Sequence, residues 1–317
     1  MSCVKRQLSG KGDYDSKRNI TNGMKKVLVT GGEGFIGKNI QESFLAEKYR
    51  ILAPTKQELD LTQEQQVRQF FQENPVDVVI HGAAKPGHRN APDQINIFYE
   101  DMRMFLNLVR NADSYKKMIV LGSGAAYDVK QFLSKVKEEF FDTFVPADEH
   151  GFYRYAAAKY MERLPNMVEL RIFGIFGKYE DYAIRFISNA ICKALFDLPI
   201  TIKQNRRFDY MYVDDLMPIL AHFIENQPAH RAYNVTPDSS IELFALAEKV
   251  KVISGKDVPI LVKTPGMGLE YSGDNSRLKA EMKDLTLTLL DQAITELYHW
   301  YEEHKGSLNK EVLLTDP

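Results

Sequence analysis

The sequence predicts an α/β protein whose parallel sheet carries helices on both faces. Two observations indicate this class: short apolar runs alternate with longer amphipathic segments, and the runs are apolar throughout. Strands that are apolar on both faces are typical of parallel sheets buried between helices. The third observation is a glycine-rich turn between the first run and the first amphipathic segment. Together they predict a doubly wound sheet followed by a smaller C-terminal α/β lobe.

The predicted elements follow one another regularly. The strand candidates are KVLVT (26–30), RILAP (50–54), VDVVIHG (76–82), KMIVLGS (117–123) and MVELRIFG (167–174). Helices are predicted over 35–46, 62–72 and 94–110 between the strands, and over 242–255 and 287–305 later. The first helix carries Ile36, Ile40 and Phe44 on one face, as an amphipathic helix requires. Ligands of such sheets bind at the carboxyl ends of the strands, where the strand order reverses.

Three glycines, Gly31, Gly34 and Gly37, lie in VLVTGGEGFIGKNI between the first strand and the first helix. The first permits a tight turn, the second lets a pyrophosphate approach, and the third lets helix and strand pack closely. Phosphates then sit on free N–H groups at the positive end of the helix, which opens with Phe35 and Ile36. The loop therefore predicts dinucleotide binding by a Rossmann-type fold.

The residues after the second strand bear on the choice of dinucleotide. Where NAD enzymes usually carry an acid for the ribose hydroxyls, this chain has Thr55 and Lys56. A cation there favours the 2′-phosphate of NADP, with NAD as the alternative if Lys56 is only a solvated loop residue. Asp60, followed by Leu61, is a candidate for accepting from the adenine amino group. Asp60 could equally cap the next helix, although Thr62 fits that role better.

These features suggest a division of the chain. Residues 1–23 are polar and lack the apolar core of a signal peptide, so we predict a disordered leader. Residues 24–174 are predicted to form the dinucleotide-binding domain, with 208–226 returning to it. Residues 175–207 and 227–317 are predicted to form the substrate-binding lobe.

The composition excludes several classes of function. The 317 residues are 44% hydrophobic and 26% charged with a net charge of −2, so nucleic acid is not an expected partner. No run of eighteen apolar residues appears, so no membrane span is expected. The two cysteines, Cys3 and Cys192, have no metal-ligand spacing, so neither a metal site nor a disulfide framework is predicted. This suits a reducing compartment, and we expect a cytoplasmic location.

Four motifs in order resemble those of the extended short-chain dehydrogenase/reductase family: the glycine loop, HGAAKPG (81–87), LGSGAAY (121–127), and Tyr155 with Lys159 in GFYRYAAAKYMER. More narrowly, the chain is similar to nucleotide-sugar epimerases, dehydratases and ketoreductases. The resemblance runs from about residue 25 to residue 300. Its later landmarks are RIFGIFG (171–177), FDYMYVDDL (208–216) and YNVTPDSSIELFALAEKV (233–250).

The resemblance implies a catalytic set of Ser123, Tyr155 and Lys159. Tyr-x-x-x-Lys alone is more often a solvated helix face, but here the chemistry agrees with the family. A phenol is a poor base at pH 7, and a lysine one turn away on the same face favours the phenolate. Ser123 would then hold the reacting sugar oxygen, and Tyr155 would transfer the proton while hydride passes between sugar and nicotinamide.

Further positions are implied by the same resemblance. Ala83, Ala84 and Lys85 match the small-residue turn over which family members lay the nicotinamide ribose. GDP-fucose synthases, which combine 3,5-epimerisation with 4-reduction, carry a similar Ala-Ala-Lys-x-Gly run, and this likeness supports NADP. Two histidines are singled out by their place in the sequence and not by the resemblance. His81 is expected at a strand end near the cofactor, and His88 is a candidate for facing the sugar, against the alternative of a solvated loop histidine.

Departures from the family pattern narrow the predicted reaction. Sugar 4,6-dehydratases follow their catalytic Thr with Asp-Glu, whereas here Gly124 and Ala125 follow Ser123, so dehydration is not expected. GDP-fucose synthases have a Cys at the position of Ala125, so 3,5-epimerisation is doubtful. Ala125 itself is predicted to face the substrate. A 4-ketoreductase or a 4-epimerase remains.

The second lobe also departs from the family. Gly174 stands where many members have an Asn that contacts the sugar diphosphate, and Phe208 stands where they have an Arg. Arg207, or Arg206 beside it, could clamp a diphosphate instead, with a solvated basic pair as the equal alternative. Tyr210 is a further candidate for the sugar. Only about eleven residues separate Lys159 from Arg171 in the next strand, so a homodimer built on this short helix is left open.

Three functions follow from the sequence. The first is an NADP-dependent reductase of a nucleotide-linked 4-keto-sugar. The second is a 4-epimerase with tightly bound NAD. The third is a dinucleotide-sensing regulator without catalysis, against which the retained Ser123, Tyr155 and Lys159 argue.

Overall fold

A computed structural model of the protein describes residues 23–85, 95–128, 130–131 and 134–315. The strands in chain order are β1 (Lys26–Thr30), β2 (Arg50–Leu52), β3 (Val78–His81), β4 (Lys117–Ser123), β5 (Met167–Ile172), β6 (Ile175–Phe176), β7 (Ile200–Asn205), β8 (Arg207–Phe208), β9 (Met211–Tyr212), β10 (Ala232–Val235), β11 (Ile241–Glu242) and β12 (Ile260–Met267). Six of them form a parallel sheet in the order β10-β5-β4-β3-β1-β2. The predicted doubly wound fold class is confirmed.

The described helices are α1 (Phe35–Glu42), α2 (Leu45–Lys48), α3 (Glu64–Glu73), α4 (Ile97–Val109), α5 (Glu149–Met161), α6 (Phe186–Leu195), α7 (Val213–Glu225), α8 (Leu243–Ser254), α9 (Ser276–Glu281) and α10 (Leu290–Glu303). In this part of the chain none of them is both long and apolar enough to cross a membrane. The predicted single helix over 35–46 is wrong, because Ser43 interrupts it. Its backbone is extended, and its hydroxyl donates to Ile40 while accepting from Leu45 N–H.

Side chains alternate between two apolar layers along the central strands. In β1, Val27 and Val29 pack into one layer and Leu28 into the other, and all three are buried. The first layer lies against α1, α6, α7, α8 and α10, and the second against α3, α4 and α5. β1 is apolar on both sides because helices cover both faces of the sheet.

The sheet order reverses between β1 and β3. From β1 the chain first adds β2 on one side and then β3 on the other, so the connections after these strands leave the sheet in opposite directions. The turn after β1 therefore opens into the crevice where ligands of such sheets bind. Ser123, the last residue of β4, lies at the same edge.

The later part of the chain forms three two-stranded ribbons and also completes the main sheet. β7 pairs with β12, β8 with β11, and β6 with β9. β10 falls within 227–317, all of which was predicted to lie in the smaller lobe, and this is corrected by its parallel pairing with β5. Tyr233 and Val235 are fully buried there, so the edge of the sheet supplies their apolar environment.

Candidate active site

The turn after β1 has little room for any side chain. Gly31 has φ +75°, and a Cβ there would lie 2.9 Å from Ala83 N. A Cβ on Gly37 would lie 2.3 Å from the Gly31 carbonyl oxygen, so the third glycine is required for the helix to approach the turn. Gly34 N–H donates to Gly31 O at 3.0 Å and closes the turn.

Helix α1 begins with unsatisfied donors. Gly34 is its N-cap and offers no side-chain acceptor, and no acidic residue stands in the first turn. The N–H groups of the first turn, which includes Phe35, Ile36 and Gly37, have no acceptor within a helix. A phosphate group would satisfy them. The glycine loop therefore fits the dinucleotide pyrophosphate that the sequence predicts.

The end of β2 carries a cation and a carboxylate together. Lys56 is exposed, and it borders a depression of about 430 Å³ that Arg103 of α4 also lines. Thr55 donates to Glu58 through both its N–H (2.8 Å) and its hydroxyl (3.0 Å), and this bonding lowers the pKa of Glu58. The loop after β2 therefore also carries a carboxylate, Glu58, three residues after Thr55.

The Asp60 carboxylate is hydrogen-bonded to a residue two positions further along the chain, Thr62. Its Oδ1 accepts from Thr62 N–H at 2.9 Å and from the Thr62 hydroxyl at 2.8 Å. Leu61 is buried, and its carbonyl accepts from the Asn107 side chain. The role of Asp60 and Leu61 at adenine stays a prediction.

The turn after β3 is anchored to β1. The Thr30 hydroxyl accepts from Ala83 N–H at 3.2 Å, and Ala84 next to it is exposed. Lys85 is hydrogen-bonded to two carboxylates of α4. Its side-chain Nζ donates to Glu100 at 3.0 Å, and its backbone N–H donates to Asp101 at 2.6 Å. The small residues leave the surface between β1 and β3 open.

Ser123 ends β4 and begins a tight 3-10 turn, Gly124–Tyr127. Its Oγ accepts from Ala125 N–H at 3.1 Å, and its proton has no acceptor among the described residues. Gly124 has no space for a side chain, because a Cβ would lie 2.7 Å from the Tyr271 hydroxyl. The Ser123 hydroxyl is therefore left with a proton to donate, as a residue that holds a substrate oxygen needs.

Tyr155 and Lys159 are both bound to carboxylates in the structure. The Tyr155 hydroxyl donates to Asp142, and Lys159 donates to Asp142 (3.0 Å) and Glu162 (2.7 Å). The bond to Asp142 is the main reason that the pKa of Tyr155 is raised, and it outweighs the opposite effect of Lys159. None of the hydrogen bonds among the described residues joins either side chain to Ser123. The catalytic role of these three residues stays a prediction.

His81, which was expected at a strand end, forms a cluster there with two residues that sequence reasoning missed, Arg154 and Asp101. Arg154 of α5 donates from Nη1 to the carbonyl of Leu121 in β4 at 2.9 Å. His81 at the end of β3 bonds Thr30 through Nδ1 at 2.9 Å, and burial first and Arg154 second lower the pKa of His81 to about 3. Burial also raises the pKa of Asp101 to about 6, although Lys85 and Arg154 act against this shift.

The four residues predicted to contact the substrate lie in different parts of the protein. His88 lies outside the described residues. Ala125 is buried in the 3-10 turn beside Ser123. Arg207 donates to Ser240 from Nε at 3.0 Å and lies 3.6 Å from Glu242, so its guanidinium is engaged within the C-terminal lobe. Tyr210 is half-buried, and its ring packs against Phe208.

A steric clash explains why position 174 carries Gly where many family members carry Asn. A Cβ on Gly174 would lie 1.8 Å from the carbonyl oxygen of Asp209, so no other residue fits this backbone. The Gly174 carbonyl accepts from Met211 N–H at 2.9 Å and so links the end of β5 to β9. The departure from the family pattern is therefore built into the connection between β5 and β9.

Comparison with known proteins identifies the family of this chain. The family model described as NAD dependent epimerase/dehydratase matches residues 27–236. GDP-L-colitose synthase from Yersinia pseudotuberculosis is 25% identical over 224 residues, which cover 63% of this chain and 72% of that protein.

Two solved structures share the fold. The GDP-mannoheptose C4 reductase from Campylobacter jejuni with NADP bound has a TM-score of 0.76 and 20% identity, covering 88% of this chain and 98% of that one. The UDP-glucose 4-epimerase from Thermotoga maritima with UDP-glucose has a TM-score of 0.77 and 18% identity, covering 88% and 99%. The predicted resemblance is confirmed, and the chain belongs to the NAD-dependent epimerase/dehydratase family of NAD(P)-dependent enzymes, within the extended short-chain dehydrogenases/reductases.

Proposed function

We propose that the protein reduces the 4-keto group of a GDP-linked sugar, using NADPH. The observation that carries this proposal is Ser123, whose free hydroxyl proton stands at the carboxyl end of β4, at the sheet edge where the glycine loop lies. A ketone oxygen at this edge would accept that proton in a hydrogen bond and be polarised for reduction. The guanine base and the C4 position are suggested by the GDP-L-colitose synthase and GDP-mannoheptose C4 reductase that the chain resembles.

The residues around the glycine loop would hold the dinucleotide. Gly31, Gly34 and Gly37 leave the space for its pyrophosphate, and the first N–H groups of α1 bind the phosphate oxygens. The nicotinamide, when bound, supplies the hydride. Ala83 and Ala84 leave the surface beside β1 free of large side chains.

The charges at the end of β2 support NADP. Lys56 and Arg103 border the same depression as Glu100, whose charge is paired with Lys85 at 3.0 Å. The two cations suit a 2′-phosphate better than a neutral ribose. The C. jejuni reductase in the same fold has NADP bound. Glu58 beside Thr55 favours NAD over NADP, because its carboxylate repels a 2′-phosphate.

The positions after Ser123 support simple reduction over elimination or carbon epimerisation. Both of those reactions need a side chain that takes or gives a proton at carbon. Gly124 has no side chain and no room for one, and Ala125 is buried with only a methyl group. Reduction needs a proton only at oxygen, so it does not depend on these two positions.

The proton donor is expected on α5, the helix that follows the Ser123 turn. Tyr155, with Lys159 as the cation beside it, is the pair that the sequence predicts for this role, but in the structure the Tyr155 hydroxyl donates to Asp142. For Tyr155 to act, its hydroxyl must leave Asp142 and face the site.

The first test is to denature the purified protein, identify any released dinucleotide, and titrate the ligand-free form with NADPH and NADH. Tighter binding of NADPH, followed by NADPH oxidation on addition of a GDP-4-keto-6-deoxy sugar, supports the proposal. The product should be the 4-hydroxy sugar with C3 and C5 unchanged. Release of stoichiometric NAD only on denaturation contradicts it.

The second candidate is a 4-epimerase that retains NAD, and Glu58 favours it. A carboxylate at the end of β2 suits the hydroxyls of an NAD ribose. The T. maritima 4-epimerase shares the fold at a TM-score of 0.77. Incubating the protein with UDP- or GDP-hexoses without added dinucleotide, and looking for inversion at C4, distinguishes this function from the first.

A further inference from the structure

Helix α5 presents two pairs of residues with the same spacing. Tyr155 and Lys159 form one pair, and His150 and Arg154 form the other, since both are four residues apart. At about 100° per residue, Tyr155 and Lys159 stand about 100° and 140° around the helix from Arg154, whereas His150 stands only about 40° from it. The two pairs therefore face different surroundings.

The Tyr155 pair lies on the side of α5 that faces the loop after the 3-10 turn. Tyr155 packs on the Phe141 ring with 5.4 Å between centroids and donates to Asp142, and Lys159 is shared by Asp142 and Glu162. Both donors are thus engaged by carboxylates.

The direction of the helix reinforces this difference. The chain passes from the carboxyl end of β4 through α5 to the amino end of β5, so the first turns of α5 lie nearest the ligand-binding edge. Lys159 is ten residues into the helix, about 15 Å along its axis, whereas Arg154 is about 7.5 Å along it. Gly151, next to His150, packs against the turn after Ser123, with its Cβ position 3.0 Å from Ala125 O.

The Arg154 side of the helix also holds an unusual concentration of unsatisfied polar atoms. Six buried side-chain polar atoms have no partner in the described part of the chain, and four of them belong to one cluster: His81 Nε2, Asp101 Oδ2, Tyr153 Oη and Arg154 Nε. Buried polar atoms are normally hydrogen-bonded, so four together indicate a missing ligand or water. A donor on Arg154 and an acceptor on Asp101 match a hydroxyl-bearing group such as a ribose. Arg154 as a whole is only half-buried.

We propose that His150 and Arg154, rather than Tyr155 and Lys159, are the α5 residues that act at the site, with Arg154 positioning the bound dinucleotide and His150 donating the proton. This inference rests on the proposed reduction. In that reaction the carbonyl carbon receives the hydride that NADPH supplies, the C=O π bond opens, and the oxygen takes the proton from the His150 imidazolium. The imidazole left behind regains a proton from water. Imidazole titrates near neutral pH, so it performs this transfer without a neighbouring lysine.

The test compares matched variants of the full chain in two measurements. In the first, NADPH affinity is titrated for Arg154→Met, Arg154→Lys and Lys159→Met. Loss of a charge-assisted hydrogen bond should weaken NADPH binding about tenfold to a hundredfold in Arg154→Met, with partial recovery in Arg154→Lys and no more than a twofold change in Lys159→Met. Melting curves separate loss of the ligand contact from loss of folding, and Arg154→Lys keeps the comparison valid if the methionine variant does not fold.

The second measurement follows a single turnover of NADPH oxidation with the 4-keto sugar. His150→Phe should slow hydride transfer about 10²- to 10⁴-fold. Tyr155→Phe should leave the rate unchanged, and so should Tyr271→Phe, which removes the phenol beside Gly124 in the turn after Ser123. Added imidazole should restore part of the rate in His150→Ala, which a purely structural role of His150 would not allow. The inference is overturned if Tyr155→Phe or Tyr271→Phe abolishes hydride transfer while His150→Phe retains it, or if Lys159 and not Arg154 controls NADPH affinity. A wild-type protein that reduces no 4-keto sugar, with affinities in the expected order, rejects the proposed function and keeps the site assignment.

Discussion

Arg171 and Glu169 project from the same face of β5 and form an ion pair 2.7 Å long, from Nε to Oε2, with both side chains almost fully buried. Arg171 also donates to the Tyr127 hydroxyl at 2.8 Å, and its guanidinium lies 4.1 Å from the centre of the Phe141 ring. On this face the strand departs from the apolar pattern of its neighbours. The pair fixes the turn after Ser123 against the sheet, because Tyr127 belongs to that turn.

Replacing Arg171 by Met should destabilise the fold by about 3–5 kcal/mol, because it leaves the Glu169 carboxylate buried without its partner. The measurement is urea unfolding followed by circular dichroism. Lys249→Met is the matched control, since it removes the exposed Lys249–Asp291 pair and should cost less than about 1 kcal/mol. If both variants lost a similar free energy of unfolding, the buried Arg171–Glu169 pair would contribute no more to stability than an exposed pair.

The sheet could be predicted from the sequence because its signal is local. The runs from KVLVT to KMIVLGS are apolar on both faces, and the glycine turn follows the first of them directly. β10 was misassigned because AYNV is short and gives no sign of its partner β5, which lies sixty residues away in the chain. The break at Ser43 was missed because a side-chain bond to Ile40 overrides the apolar spacing.

The site was harder to predict because spacing alone does not say which side of a helix meets the sheet. Tyr155–Lys159 and His150–Arg154 have the same spacing, and the choice between them depends on where α5 begins. The structure begins α5 at Glu149, with Asp148 as the N-cap. The short distance from Lys159 to β5 was the available signal, since it placed Lys159 near the far end of the helix.

The glycine loop gives a second prediction. Gly37→Ala should abolish measurable NADPH binding and lower the melting temperature, because the new Cβ would lie 2.3 Å from Gly31 O and push α1 away from the turn. Gly306→Ala is the control, since nothing lies within 4 Å of its Cβ position. Calorimetric titration and thermal melting of both variants check the expectation, which fails if Gly37→Ala binds NADPH like the wild type.

A third prediction concerns the two opposite charges at the end of β2. Lys56→Ala should weaken NADPH binding about tenfold and leave NADH binding nearly unchanged, because only NADPH carries the 2′-phosphate. Glu58→Gln should shift the preference the other way, since it removes the carboxylate held by Thr55. Lys203→Ala removes an exposed charge elsewhere and serves as the control. Equal losses for both dinucleotides in Lys56→Ala would contradict a 2′-phosphate site.

The last prediction concerns pH and Glu180, a buried carboxyl whose Oε2 accepts from the Ser188 hydroxyl at 2.7 Å. Burial raises its pKa from 4.5 to about 8, against the smaller opposing effect of Ser188. Because the folded pKa lies above the unfolded one, the stability that the neutral carboxyl contributes is fully present below pH 4.5 and is lost as the pH rises through about 8.

Glu180→Gln keeps a hydrogen-bond acceptor for Ser188 and cannot ionise. The melting temperature of the wild type should therefore fall relative to this variant as the pH rises between about 4.5 and 8. Glu303→Gln changes an exposed carboxyl and should show no such divergence. Scanning calorimetry of the three proteins over this range is the measurement. Parallel curves for the wild type and Glu180→Gln would mean that Glu180 is already ionised at the lower end of the range, and that burial does not raise its pKa.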